Sequence, residues 1–384
     1  MIQRELSGLL REMATKMPVL SITGPRQSGK TTLARAAFPD YAYVNLENPD
    51  TLEAAVSDPR LFLSQFSSGV IIDEAQRYPD LFSYIQTASD EAHKPGKFIL
   101  TGSQNFLLSE KISQSLAGRV FITHLLPFSI SELRLSGQDV ENSDTSIFNG
   151  FYPRVHDARI HPALFYPSYI QTYVERDVRQ IVNVGNLHQF QRFMRLAAGR
   201  IGQLLNYNNI ANELGVDLKT VKSWFSILES SFIAFTLPPH FQNFSKRILK
   251  TPKLYFYDTG LACSLLGIRD PNEVAAHWAR GALFENMVIA DLMKQHYNKA
   301  IIPPLYYWRD STGNEVDCLI DSGHRIKSVE IKSSATILSD HFKGLAYYQK
   351  LNPLAEPCLI YGGLTNGIRP NGKVIAWNNM ADLL

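Results

Sequence analysis

Apolar residues recur along this chain with two different periods, and the changes of period divide it into elements. Leu6, Leu9, Leu10 and Met13 stand three and four apart, which predicts a short amphipathic helix within residues 3–16. The apolar run 18–22 then reads as a buried strand, and residues 31–37 as a helix of good helix formers. Residues 41–46 predict a second strand, broken by Asn48-Pro49-Asp50 before a helix near 51–57. Two β-branched runs, 68–74 and 97–103, flank a helix over 81–91, and a further strand opens near Arg119. The run 68–74, apolar and ending in two acids, reads as a buried parallel strand.

Periodicity fails over residues 136–149, which gain acids and amides, and a domain boundary is expected there. Helical spacing returns over 169–182 and 187–198. Residues 207–225 make two short amphipathic helices joined by Leu214-Gly215-Val216, with Asp217 placed to cap the second: a helix-turn-helix. A basic segment, 245–253, leads into a strand at 254–257, and the arrangement suggests a winged helix. The last third holds an apolar helix over 281–290, then strands at 306–310, 315–320 and 328–334 joined at Gly313-Asn314 and at 321–324.

With 384 residues the chain is long enough for two or three domains. Apolar residues at 45% and charged residues at 19% exclude a disordered chain. A net charge of +2 selects no partner, so any nucleic-acid surface has to be a local patch. Cys263, Cys318 and Cys358 lack C-x-x-C spacing, which argues against a disulfide framework and a zinc site, and leaves buried thiols as the expectation. The first residues mix charge into their apolar positions, and no stretch reaches 18 uncharged apolar residues. A cytoplasmic, non-membrane protein is expected.

The chemistry concentrates in three places. Gly24-Pro25-Arg26-Gln27-Ser28-Gly29-Lys30-Thr31-Thr32 follows a strand and opens a helix, the context a polyphosphate loop requires. Gly24 and Gly29 let the backbone N–H groups turn toward phosphate oxygens, Lys30 reaches the outer phosphates, and Thr31 offers a hydroxyl to Mg2+. ATP and Mg2+ are the implied ligands. Residues 68–74 end in Asp73 and Glu74, as a Walker B strand does, with Asp73 holding Mg2+ and Glu74 orienting and deprotonating the attacking water. Thr101 or Ser103, ending the next strand, is a sensor of the γ-phosphate or simply part of a turn. Arg119 either stabilises the transferring phosphoryl group, in cis or from a neighbouring subunit, or is a structural surface residue.

In the middle region Lys219, Thr220, Lys222 and Ser223 are placed to face a DNA groove, with Arg247, Lys250 and Lys253 meeting phosphates in the wing; the bland alternative is a helical spacer. In the last third Asp317 precedes Glu330-Ile331-Lys332 on a neighbouring strand. Asp317 and Glu330 are able to share one divalent cation, and Lys332, on the face of Glu330 by period-two alternation, is able to poise a water.

The runs 24–32, 70–76, 99–104 and 115–120 resemble the AAA+ ATPases of a bacterial and archaeal family that carries a C-terminal region of unknown function. That resemblance continues through 150–154 and 169–178 to the end of the chain. It implies ATP binding and hydrolysis on an αβα sheet and supplies no biological substrate. The order of Asp317, Glu330 and Lys332 resembles the PD-(D/E)XK nuclease fold, whose first-helix acid Glu285 also resembles; Val316 stands where that signature often has Pro. The resulting expectation is a P-loop NTPase (AAA+) αβα sandwich over residues 1–135, a helical winged-helix domain over 136–265 and a restriction-endonuclease-like α/β domain over 266–384. The associated function is ATP hydrolysis coupled to an action on DNA, or else a nucleotide-gated regulatory or protein-interaction switch with a silent nuclease-like domain. Oligomerisation is compatible with either.

Overall fold

The computed structural model describes residues 2–92, 94–103, 115–138, 140–173, 187–240 and 251–383, and these fall into two compact units. The first takes in the residues up to Phe128 together with Ser230–Phe232 and His296–Ile301. Its sheet is five parallel strands: β1 (Val19–Thr23), β2 (Ala42–Asn45), β3 (Val70–Asp73), β4 (Phe98–Gly102) and β5 (Val120–His124), ordered β2-β3-β4-β1-β5. Alternation divides their side chains between two layers. Val19, Val70, Ile72, Phe98 and Leu100 pack against Leu81, Phe82 and Ile85 on one face. Leu20, Ile22, Ile71 and Ile99 pack on the other against Leu6 and Leu10 of α1 (Leu6–Ala14) and Leu33, Ala34 and Ala37 of α2 (Lys30–Ala37). All strands point the same way, so the loops after β1, β3 and β4 meet along one edge of the sheet. Such an edge is where open α/β sheets bind ligands.

The second unit takes the remaining described residues. Helices Tyr207–Leu214 and Leu218–Ser230 form the helix-turn-helix, with Gly215 at φ +69° ending the first and Asp217 Oδ1 accepting from Thr220 N at 2.9 Å to cap the second. Val221, Trp224, Phe225 and Leu228 make its buried stripe. A hairpin of β6 (Ala234–Leu237) and β7 (Lys253–Phe256) follows, with Phe235 opposite Tyr255 and Leu237 opposite Lys253. Arg247 and Lys250 lie outside the described residues. The segment 136–149 is not irregular throughout: helix Ser143–Asn149 begins behind Asn142, whose Oδ1 accepts from Thr145 N at 3.0 Å, and buries Ile147 and Phe148. Two turns held by a cap and two side chains are too short to register as periodicity.

Helix Arg280–Asn298 precedes a mixed sheet of β8 (Leu305–Arg309), β9 (Glu315–Asp321), β10 (Ile326–Lys332), β11 (Glu356–Tyr361), β12 (Gly367–Arg369) and β13 (Gly372–Ala376), ordered β12-β13-β11-β10-β9-β8. Strands β8, β9 and β10 run antiparallel in sequence, whereas β10, β11 and β13 are parallel. Helix Lys343–Leu351 crosses between β10 and β11, burying Leu345 and Tyr348 against Trp308 and Leu359. The β9–β10 ladder stops at Cys318 opposite Val329. Beyond it the Asp317 carboxylate accepts from Ile331 N at 2.8 Å, while β10 goes on pairing with β11 as far as Lys332 opposite Tyr361. The two strands therefore part where their carboxylates stand.

Candidate functional site

The loop from Gly24 to Gly29 leaves β1 and enters α2 with Gly24 at φ +150° and Gly29 at φ +93°. A Cβ on Gly24 would lie 2.1 Å from the Leu125 carbonyl oxygen, so only glycine fits there. Lys30 is buried, and its Nζ donates to the carbonyls of Gly24 at 3.0 Å and Pro25 at 2.8 Å. Ser28 Oγ is buried without a hydrogen-bond partner among the described residues. The loop's lysine and a spare hydroxyl thus sit at the positive end of α2, the arrangement a phosphate chain uses.

Strand β3 brings Asp73 to the same edge. Its Oδ2 accepts from Thr31 Oγ1 at 2.9 Å and from Tyr43 Oη at 2.8 Å; its Oδ1 accepts from Glu74 N at 3.2 Å and, in a short contact, from Thr101 Oγ1. A hydroxyl and a carboxylate that meet at 2.9 Å are oxygen donors of the kind a hard cation such as Mg2+ takes. Burial, with the bond to Asp73, pushes the Tyr43 phenol well above its ordinary value and keeps it a neutral donor. Glu74 sits in the left-handed region at φ +53°, and its Oε2 accepts from Ser103 Oγ at 3.1 Å and closely from Gln76 Nε2. The structure therefore brings together Lys30, Thr31, Asp73, Glu74, Thr101 and Ser103.

Arg119 is a different case. It precedes β5 beside Val19, the first residue of β1, whereas the phosphate loop follows the last, so about 16 Å of strand separates the two ends at about 3.3 Å per residue. Its guanidinium is bidentate to Asp90, at 2.6 and 3.0 Å. A role in cis on the transferring phosphoryl group is thus corrected: a parallel sheet puts the start of β5 at the opposite edge. Three residues of this site gave no sequence signal. Arg4, whose guanidinium donates to Ser28 O at 2.9 Å and Leu126 O at 2.6 Å, braces the loop from the preceding segment. Tyr43 and Gln76 were legible only as a strand residue and a residue after the Walker B acids.

The second cluster lies in the second unit. Lys332 Nζ stands 2.6 Å from Glu330 Oε1 and 3.9 Å from Asp317 Oδ2, on the shared face that alternation predicts. Glu330 Oε2 is buried without a hydrogen-bond partner among the described residues. Burial pushes the Glu330 carboxyl up, aided by the charge of Asp317; burial also raises Glu285, with Lys253 and the phenol of Tyr255 opposing it. Asp317 and Glu330, the latter with an orphan oxygen, are two oxygen donors of the kind a hard divalent cation takes. Among the described residues no three His, Cys, Asp or Glu side chains converge closely enough to hold one.

Lys253 belongs here and not on a DNA-facing wing. It is 3% exposed, and its ammonium lies 3.3 Å from Glu285 Oε1 and in close contact with Glu315 Oε1. Burial works against its charge, but Glu285, Asp317 and Glu315 outweigh that and raise its pKa. Buried on the same face of β7 as Tyr255, it is out of reach of a phosphate backbone. Tyr255, two residues on, donates closely to Glu285 Oε1. Lys219, Lys222 and Ser223, by contrast, are exposed on the face of the second helix opposite its buried stripe. Among the described residues no helix is long and apolar enough to cross a membrane, and the three cysteines are free and buried.

A family model described as an AAA domain matches residues 16–134, and two models described as domains of unknown function, DUF8612 and DUF4143, match residues 140–272 and 280–379. The uncharacterized protein Rv2008c of Mycobacterium tuberculosis is 32% identical over 338 residues, which are 87% of this chain and 74% of that protein; Mb2031c of Mycobacterium bovis matches to the same extent. The protein MJ1544 of Methanocaldococcus jannaschii is 21% identical over 310 residues, 72% of this chain and 66% of that protein. Among solved structures, the Walker-type ATPase PABY2304 of Pyrococcus abyssi aligns at a TM-score of 0.46 with 15% identity, over 69% of this chain and 96% of that one.

Proposed function

This chain belongs to the family of the mycobacterial protein Rv2008c and carries an AAA domain at its N-terminus, and from that premise we propose that it is a Mg2+-dependent ATPase whose turnover drives an action on DNA. The observation that carries the ATPase is the Thr31 hydroxyl meeting Asp73, with Glu74 next along the same edge. Lys30, Thr31 and Asp73 would hold Mg·ATP. Mg2+ held there would supply positive charge against the polyphosphate. Lys30 would exchange the loop carbonyls for the outer phosphates, and Thr31 would offer to the cation the hydroxyl that now donates to Asp73. Glu74, released from Ser103 and Gln76, orients the attacking water and takes its proton. Expected is ATP turnover that stops with EDTA and falls in Lys30→Ala; turnover unchanged in Lys30→Ala overturns the assignment.

The action on DNA is supported by the exposed Lys219 and Lys222 on a winged-helix-like unit and by Asp317, Glu330 and Lys332 at the parting of β9 and β10, as in a PD-(D/E)XK-type site. Metal-dependent DNA cleavage is expected to disappear in Lys332→Ala, and cleavage at the parent rate in that variant ends the nuclease assignment. One observation favours a silent nuclease-like domain in a nucleotide-gated switch: the carboxylates of this cluster already pair with lysines of the same chain. On that alternative no cleavage is seen with any divalent cation, and DNA binding changes with nucleotide.

A further inference from the structure

The carboxylate cluster is larger than the set that a metal at Asp317 and Glu330 requires. Glu285 and Glu315 make a second pair, and between them lies the ammonium of Lys253, 3.3 Å from Glu285 Oε1 and closer still to Glu315 Oε1. Its side chain is only 4% exposed. A lysine so buried is costly unless its charge is matched, and here it is matched on two sides. It also comes from elsewhere in the unit: β7 is a hairpin strand, outside the six-stranded sheet that carries Glu315, Asp317 and Glu330. The hairpin anchors to that sheet's neighbourhood at several points. Tyr255 donates to Glu285, Asn286 bonds both backbone groups of Phe256 at 2.7 and 2.8 Å, and His240 N donates to Tyr307 O at 2.8 Å. Arg309 Nη1, 3.3 Å away, takes the other oxygen of Glu315.

We infer that Lys253 is a positioning residue that stands in place of a second cation, holding Glu285 and Glu315 together so that the cluster takes a divalent ion only at Asp317 and Glu330. The inference deepens the metal-site reading given above and rests on it. Its chemistry is that of charge and oxygen donors. Glu285 Oε1 and Glu315 Oε1 both meet one ammonium, so its removal leaves two carboxylates that either a proton or a Mn2+ ion can relieve, and Mn2+ is the one the test counts. Removing the ammonium makes a place for the ion.

The test counts bound Mn2+ by the electron paramagnetic resonance signal of the free ion, on the full chain without nucleotide and in an Asp73→Asn background that removes the phosphate-loop carboxylate. Expected is one additional bound Mn2+ per chain in Lys253→Met, lost again when Glu285→Gln is added, and no gain in Lys253→Arg. An unchanged count in Lys253→Met overturns the inference. Loss of the parent's own Mn2+ in Asp317→Asn supports the metal-site reading and its retention refutes that reading, so the two failures are distinct. If Lys253→Met is too unstable for counting, thermal melts decide: the inference requires Mn2+ to raise its melting temperature more than the parent's, and an equal shift overturns it.

Discussion

The two acidic sites of this chain hold their carboxylates in opposite ways. Asp73 and Glu74 are held by hydroxyls and amides: Thr31, Tyr43, Thr101, Ser103, Gln76 and a backbone N–H. Every donor to them among the described residues is neutral. Glu285, Glu315, Asp317 and Glu330 instead face Lys253, Lys332 and Arg309. Neutral donors fix the direction of a carboxylate and leave its charge for a ligand that arrives with its own cation. Lysines from the chain neutralise the charge in advance, so an incoming cation has to compete. The nucleotide site is built to be completed from outside, and the C-terminal cluster is largely balanced from within.

The contrast breaks first at Glu74. If its carboxylate is the proton acceptor, Glu74→Gln lowers ATP turnover by roughly 10²- to 10⁴-fold, the usual contribution of a general base, and leaves nucleotide affinity nearly unchanged. The amide keeps the hydrogen bonds of Ser103 and Gln76 in outline, so lost binding would point to a positioning role instead. Single-turnover ATP cleavage beside equilibrium binding of a labelled nucleotide separates the two outcomes.

A smaller effect tests the third region of interest. Lys219 and Lys222 project from the exposed face of the second helix, where cation release would drive attachment to a DNA backbone. The double variant Lys219→Ala, Lys222→Ala is expected to lower the slope of log affinity against log salt by about 1.8, two phosphate contacts at about 0.9 each. Lys253→Ala is expected to leave that slope alone, since its ammonium is enclosed by Glu285 and Glu315. A salt series by fluorescence anisotropy on one duplex measures both, and a slope that moves with Lys253 would return it to the wing.

The difference in legibility between the sites has a physical cause. The nucleotide site is written in contiguous stretches, because loop, strand end and helix N-terminus are local structures; Gly24, Lys30, Thr31, Asp73 and Glu74 follow from spacing alone. Asp317, Glu330 and Lys332 were legible for the same reason, since alternation along β10 fixes a shared face. Only the cis reading of Arg119 fails, because a strand reads the same from either end until the order of the sheet says which end lies beside the phosphate loop. Lys253 misled because a basic run gives charge but not direction: in a hairpin, neighbouring residues point to opposite faces, and burial decides which one meets acids. Arg4, Tyr43 and Gln76 act through long-range or side-chain contacts that no periodicity encodes. The order β2-β3-β4-β1-β5 was equally out of reach, although each of its strands was marked by an apolar run.

The smallest expected effect probes how neutral the donors to Asp73 need to be. Tyr43 donates to the same oxygen, Oδ2, that Thr31 does, and the Arg35 guanidinium lies 5.0 Å over its ring. If Thr31 turns toward Mg2+ as proposed, Tyr43 is the remaining hydroxyl that directs Oδ2. Tyr43→Phe removes that bond at a half-exposed position and leaves the ring in place, which corresponds to about 0.5–1.5 kcal/mol, or roughly a two- to thirteenfold effect. The loss should fall on Mg·ATP and not on ATP in EDTA, because only the cation reads the direction of Asp73. Titrating a fluorescent nucleotide with and without Mg2+ gives both affinities. Equal losses in the two conditions would mean that Tyr43 supports the loop as a whole, and that neutral donors around Asp73 serve the fold more than the cation.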